Sequence, residues 1–177
     1  MTDTAIELDI RLAEYKALKD EQQKRIDRRD HLVYVTWTVI AATLVAATKV
    51  GEALLLLPAA ALILGWTHLA NDFMVSAIGR YLRDDLGERL TELSGAPVLG
   101  WEHEHRGDTR RRQRKSIQLA VDASTFAGPA LVSLGAYLAL TDPPVLGWLA
   151  VVPLAAAAAV LVAQQVAYGR SALSAKT

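Results

Sequence analysis

Asp122 stands directly before a run with no charged residue, Ala123–Thr141, and His68, Asn71 and Asp72 close another that begins at Ala53. Gln118 lies one helical turn before Asp122. Ionisable side chains at the ends of long apolar stretches are costly to bury, and where they occur they face protein or water. Asp122, Asp72, His68, Gln118 and Asn71 could therefore line a polar vestibule or ion site. The plainer alternative is interhelical hydrogen bonding, worth roughly 0.6–2 kcal/mol per bond. A second group, His103-Glu104-His105, has metal-ligating residue types. Zinc on a helix needs histidines three or four apart, and no further ligand follows at ligand spacing, so the string reads as a loop and no metal is expected. Asp84-Asp85 reads as the solvated face of a charged helix. There is no Gly-rich phosphate loop, Ser/His/Asp constellation or paired-carboxylate site, and no cysteine. No catalytic residue, cofactor or enzyme activity is expected.

Those residues must be positioned by the apolar segments around them. The chain of 177 residues is 52% hydrophobic but only 6% aromatic, and its Ala, Leu and Val fall in blocks. Four stretches lack Asp, Glu, Lys and Arg altogether: Leu32–Thr48, Ala53–Asn71, Ala123–Thr141 and Pro143–Gly169. A helix needs about 17–25 such residues to cross a hydrocarbon core. Buried helices of a soluble bundle would carry charges on one face, and these are apolar all round. The connectors at 49–52 and 142 are short, so the spans pair as two hairpins. Trp37, Trp66, Trp101 and Trp148, with Tyr34 and Tyr168, fall near span ends or in flanking segments, where membrane interfaces favour them.

Charge orients the hairpins. Arg110, Arg111, Arg112, Arg114 and Lys115 crowd into six positions of a chain whose net charge is zero. Every other Lys and Arg except Lys49 lies in residues 1–31, 72–115 or 170–177. The bias toward cytoplasmic Lys and Arg places both termini and the middle segment in the cytoplasm. Carrying one such charge through the bilayer centre costs about 2.5–3.5 kcal/mol. The 110–115 cluster thus sets the direction of the second hairpin and contacts anionic lipid headgroups. Nucleic acid is not an expected partner, because no aromatic residue interleaves the cations and no basic excess exists.

The cytoplasmic segments are helical as well. No Gly or Pro precedes Gly51, and Thr4 with Glu7 fits a capping box, so one helix is expected from about Ala5 to Lys49. Leu8, Leu12 and Tyr15, then Gln22 and Ile26, form its near-heptad stripe. Beyond Asp72 an i,i+4 series continues through Met74, Ile78, Leu82, Leu86 and Leu90 until Ser94-Gly95-Ala96-Pro97 ends it. Two such extensions can bury their stripes together as an antiparallel stalk. The expected fold is all-α and integral to the membrane: four transmembrane helices as two hairpins with an antiparallel cytoplasmic helical stalk. Its parts are a cytoplasmic amphipathic helix (1–30), hairpin 1 (31–71), a second amphipathic helix (72–94), a basic loop (95–115), hairpin 2 (116–169) and a tail (170–177).

Glu14-Tyr15, then Ile78, Gly79, Tyr81, Leu82, Arg83, Trp101 and Glu102, make a pattern that resembles small uncharacterised bacterial multi-span membrane proteins. In these an N-terminal Glu-Tyr helix precedes a two-span hairpin, an Ile-Gly-x-Tyr-Ile/Leu-Arg segment and a Trp-Glu. The layout is also similar to SLATT-type membrane effectors, from which the second hairpin departs. The resemblance implies a membrane-directed role. The expected function is a non-enzymatic multi-pass protein of the bacterial plasma membrane. It would self-associate as a homo-oligomer and couple its stalk to the bilayer, as a membrane-perturbing effector. Alternatives are a membrane scaffold binding a cytoplasmic protein partner, and an ion or proton translocator using Asp122.

Overall fold

The computed structural model describes residues 3–100 and 111–174; the side chains of 111, 112, 115 and 170–174 are left aside. Helix α1 spans Asp3–Ala47, α2 Leu56–Tyr81, α3 Gly87–Ser94, α4 Arg111–Asp122, α5 Gly128–Leu140 and α6 Val145–Ser174. A 3-10 turn, Gly51–Leu55, leads into α2, and π-turns at Leu82–Leu86 and Ala123–Ala127 join α2 to α3 and α4 to α5. No strand occurs among the described residues. Four helical stretches are long and apolar enough to cross a membrane: Asp3–Ala47, Gly51–Ser94, Ser116–Leu140 and Val145–Gly169.

Local chemistry explains the breaks. Helix α1 runs unbroken because nothing before Gly51 lacks an amide proton or a Cβ; it begins at Asp3, so Thr4 is already inside its first turn. Pro58 and Pro129 sit in the first turns of α2 and α5, directly after the 3-10 turn and the second π-turn, so each withholds one N–H from the ladder where the helical pattern changes. Pro143 and Pro144 separate α5 from α6. Gly95 closes α3 at φ 70°, a left-handed position that L side chains avoid, with its N–H bonded to the Thr91 carbonyl. The segment expected as a basic loop through 115 is helical from Arg111 onward. With no Gly or Pro between Arg111 and Asp122, the helix of the third apolar stretch extends back into the cations.

The chain divides into two compact units: Met1–Arg29 with Ala70–Arg111, and Asp30–Leu69 with Arg112–Thr177. In the first, α1 and α2–α3 lie antiparallel, since contacts fall along one helix as they rise along the other. Gln22 Nε2 donates to the Val75 carbonyl at 3.1 Å, and Tyr81 Oη to Glu14 Oε1 at 2.6 Å. Ile78, Leu82, Leu86 and Leu90 form the core, covered by Leu8, Tyr15, Leu18, Val98 and Leu99. The α1 stripe therefore runs through Leu8, Tyr15, Leu18 and Gln22. Leu12, assigned to the stripe from sequence, is 40% exposed, as is Met74 of the α2 series at 38%. The inner positions repeat every seven residues but pass through Arg11 and Arg25, which hides the period from an apolar count. The π-turn keeps the leucines in line. An i,i+4 series drifts about 40° per step on an α-helix. A turn of about 4.4 residues reverses that drift for one step and holds Leu82, Leu86 and Leu90 on one face.

The second unit has two apolar clusters. Leu54, Leu134, Tyr137 and Val151 make one; Leu62, Phe126, Ala158 and Leu161 make the other. Gly65 allows the close approach, because a Cβ there would lie 2.8 Å from Leu161 Cδ2 and 2.9 Å from Phe126 Cβ. Ser133 Oγ donates to the Leu54 carbonyl at 2.6 Å.

Candidate functional site

The five polar residues singled out from sequence are shared between the two compact units. Asn71 and Asp72 belong to the first unit, and His68, Gln118 and Asp122 to the second.

In the first unit Asp72 is 4% exposed and its Oδ1 lies 3.0 Å from Arg29 Nη1. Arg25 Nη1 donates to Asn71 Oδ1 at 3.4 Å, and Arg25 Nε lies 2.6 Å from Glu21. These side chains tie α1 to α2 in register. A buried carboxylate is tolerable only when paired, so Arg29 is what permits Asp72 there. Further along, Tyr81 and Glu14 form the same kind of tie. The Tyr81 phenol is held above its usual value of 10.0, first because its proton is bonded to Glu14, then through burial and the negative charge of Glu14 and Asp85. Glu14, Tyr15, Ile78, Gly79, Tyr81, Leu82 and Arg83, seven of the nine residues that carry the resemblance noted from sequence, lie in this unit. A Cβ on Gly79 would come within 3.3 Å of Gln22 Nε2.

In the second unit His68 Nε2 on α2 lies 3.8 Å from Asp122 Oδ1 on α4. The imidazole is almost wholly buried, the carboxylate about one-fifth exposed. The Phe126 ring packs on His68 with centroids 4.8 Å apart, which fixes the imidazole against the π-turn. Gln118, one turn before Asp122, is half-buried. Gln164 and Gln165 lie at a similar expected depth in the fourth apolar stretch, but neither is among the five residues singled out from sequence; the structure separates them and buries Gln165. It is 3% exposed, and neither amide atom has a hydrogen-bond partner among the described residues. The neighbouring Gln164 is exposed. No property of the sequence separates the two glutamines; packing of α6 does.

Several hydroxyls of this unit bond within their own helices. Thr36 donates to the Leu32 carbonyl at 2.8 Å and Thr141 to Tyr137 at 2.6 Å. Of the basic cluster, Arg111, Arg112, Arg114 and Lys115 lie on α4 with Arg114 exposed, while Arg110 falls outside the described residues. So do His103, Glu104, His105, Trp101 and Glu102. Among the described residues no group of three His, Cys, Asp or Glu could hold a metal ion. Comparison of the chain with protein-family models, curated proteins and solved structures finds no match.

Proposed function

We propose that the chain is a non-enzymatic, multi-pass protein of the bacterial plasma membrane, with four transmembrane helices arranged as two hairpins and both termini cytoplasmic. In this reading the first unit is a cytoplasmic helical stalk, the protein self-associates, and the stalk couples a cytoplasmic signal to the bilayer, perturbing it. The observation that carries the reading is the apolar outer surface of the second unit, which holds buried polar side chains beside its apolar clusters. Thr36, Thr43, His68, Thr125, Ser133 and Gln165 are buried there, while Val45 (71%), Ile63 (69%), Val132 (72%), Leu140 (77%) and Val145 (83%) are exposed. Soluble monomers rarely expose contiguous apolar surface on this scale, and lipid covers it without cost.

The first unit supports the coupling. It has the ordinary polarity of a water-soluble helical pair and shares helices α1 and α2 with the apolar unit. Its outer α1 face leaves Ile6 (45%) and Ile10 (60%) exposed, one turn apart, which favours association between copies. The resemblance to SLATT-type effectors points the same way.

Controlled expression in cells loaded with a membrane-potential dye tests the effector role. Depolarisation should rise with expression and disappear in a Leu86→Asp variant that still inserts. No depolarisation at any level would refute it. Reporter fusions within 95–115 and at the C-terminus should read as cytoplasmic, and those at 50 and 142 as external.

A further inference from the structure

The outer face of α1 carries residues that do not suit an open surface in either unit. In the first unit Ile6, Ile10, Ala13 and Ala17 are exposed along one edge of the helix, where a water-facing helix ordinarily shows charge. In the second, Thr38, Ala41, Ala42 and Ala46 are exposed, whereas α2 and α5 turn Ile63, Val132 and Leu140 outward. Trp37, Thr38, Ala41, Ala42 and Val45 line an open groove of about 760 Å3. All five belong to α1, so the groove has a single wall. Helix α1 is also the least covered of the four long apolar helices: 11% of its apolar window is buried, against 44%, 39% and 22% in the others. Small outward side chains let another helix approach closely, which is what drives helix association in lipid. The Thr38 hydroxyl already donates to the Tyr34 carbonyl at 3.0 Å, so its proton does not oppose such an approach.

We propose that α1 is the interface with a second copy of this chain, the two α1 helices pairing in parallel along this face. The inference rests on the self-associating membrane reading, which inserts both copies in one bilayer in the same direction and so makes the pairing parallel. The register follows from the sequence. Positions 6, 10, 13, 17, 20, 24, 27, 31, 34, 38, 41 and 45 alternate steps of four and three, the spacing of a coiled-coil seam, and every one of them is exposed. A left-handed supercoil of the pair takes up the drift of about 20° per heptad that a straight helix would show. Charge fits a second copy in this register. Lys16 flanks the seam and faces Glu21 of the second copy, twice by symmetry. Within the seam Asp20, Lys24 and Asp27 alternate in sign, so each Lys24 comes between two carboxylates of the other copy. Polar seam residues of this kind cost stability and fix register. The adverse flanking pair is Asp9 with Glu14, and Glu14 is already engaged by Arg11 at 3.4 Å and by the Tyr81 hydroxyl.

The chain has no cysteine, so single cysteines report on the interface with no other change. The full-length chain is expressed, its membranes are oxidised with copper phenanthroline, and disulfide-linked dimer is read on gels. Ile10→Cys, Ala13→Cys and Ala17→Cys probe the first unit; Thr38→Cys, Ala41→Cys and Val45→Cys probe the second. Leu12→Cys and Ala46→Cys, exposed but off the seam, are the controls. All eight positions are exposed, so the substitutions leave the packed interior intact. The six seam variants should give several-fold more dimer than the controls. Adding Ala41→Phe to Thr38→Cys should cut its dimer several-fold by holding the helices apart. A lysine-reactive crosslinker, applied to the same membranes, separates the two ways of failing. If it links copies while seam and control cysteines behave alike, this interface is overturned and self-association stands. If it links no copies and the seam cysteines give no dimer, both are overturned. Disulfides confined to one unit overturn the continuous seam, and adducts with other membrane proteins in place of a second copy overturn the partner.

Discussion

The two units solve one problem, what to do with polar side chains between helices, in opposite ways. In the first unit the polar groups reach across: Tyr81 to Glu14, Gln22 to the Val75 carbonyl, Arg29 to Asp72. In the second, several hydroxyls fold back to a carbonyl one turn earlier on their own helix, as Thr36, Thr38 and Thr67 do. A charged side chain in the first unit keeps part of its hydration while it pairs; Arg29 is 25% exposed. The second unit, whose helices are long and apolar enough to cross a membrane, gets its close packing from Gly65 and Ala158 and much of its polar satisfaction from within each helix. The contrast explains why the Leu54–Ser133 bond, which crosses between helices, uses a small neutral hydroxyl rather than a charge.

Breaking each unit at its characteristic contact sharpens the contrast. The largest effect is expected at Leu82, fully buried at the centre of the first unit. Leu82→Ala should destabilise that unit by about 3 kcal/mol through lost transfer energy and the cavity left behind. Hydrogen exchange in detergent should show faster opening of the 75–90 amides while 125–140 stay protected; equal loss in both would mean that the units do not open separately. Next comes Gly65→Val. With 2.8 Å available, the added side chain forces α2 away from α6 and should cost about 1–3 kcal/mol, confined by the same measurement to the second unit.

The smallest effect, about 1 kcal/mol, is expected for Tyr81→Phe, which removes a bond to a partly exposed carboxylate. It carries a pH signature. Because folding raises the Tyr81 value, the folded state holds that proton more tightly than the unfolded chain does. The stabilisation is therefore complete below pH 10 and is lost as pH rises through the raised value. Wild type and Tyr81→Phe should differ at pH 7 and converge at high pH; a constant gap would show that Glu14 does not hold the phenol proton.

Some of this was open to reading before any fold was known. Residue chemistry alone located the four apolar stretches, the break after Ser94 and the helical continuation beyond Asp72. Each depends on neighbours in the chain: length of apolar run, an αL-tolerant Gly95, Pro97 beyond it. The α1 stripe was only half legible. Leu12 and Leu18 are equally apolar, and only the partner helix selects Leu18, because the true heptad passes through Arg11 and Arg25, which carry charge on an inward-facing ridge.

The candidate site shows the division most sharply. From sequence, the amide and ionisable groups at the ends of the apolar runs form one undifferentiated set. Tertiary packing assigns Asn71 and Asp72 to arginines of α1, brings His68 to Asp122, and buries Gln165 but not Gln164. Periodicity and composition are local quantities that the chain carries in its order of residues. Which polar atom finds which partner depends on the rotation and approach of whole helices, set by Gly65, Phe126 and Leu161, and that exists only once they are packed.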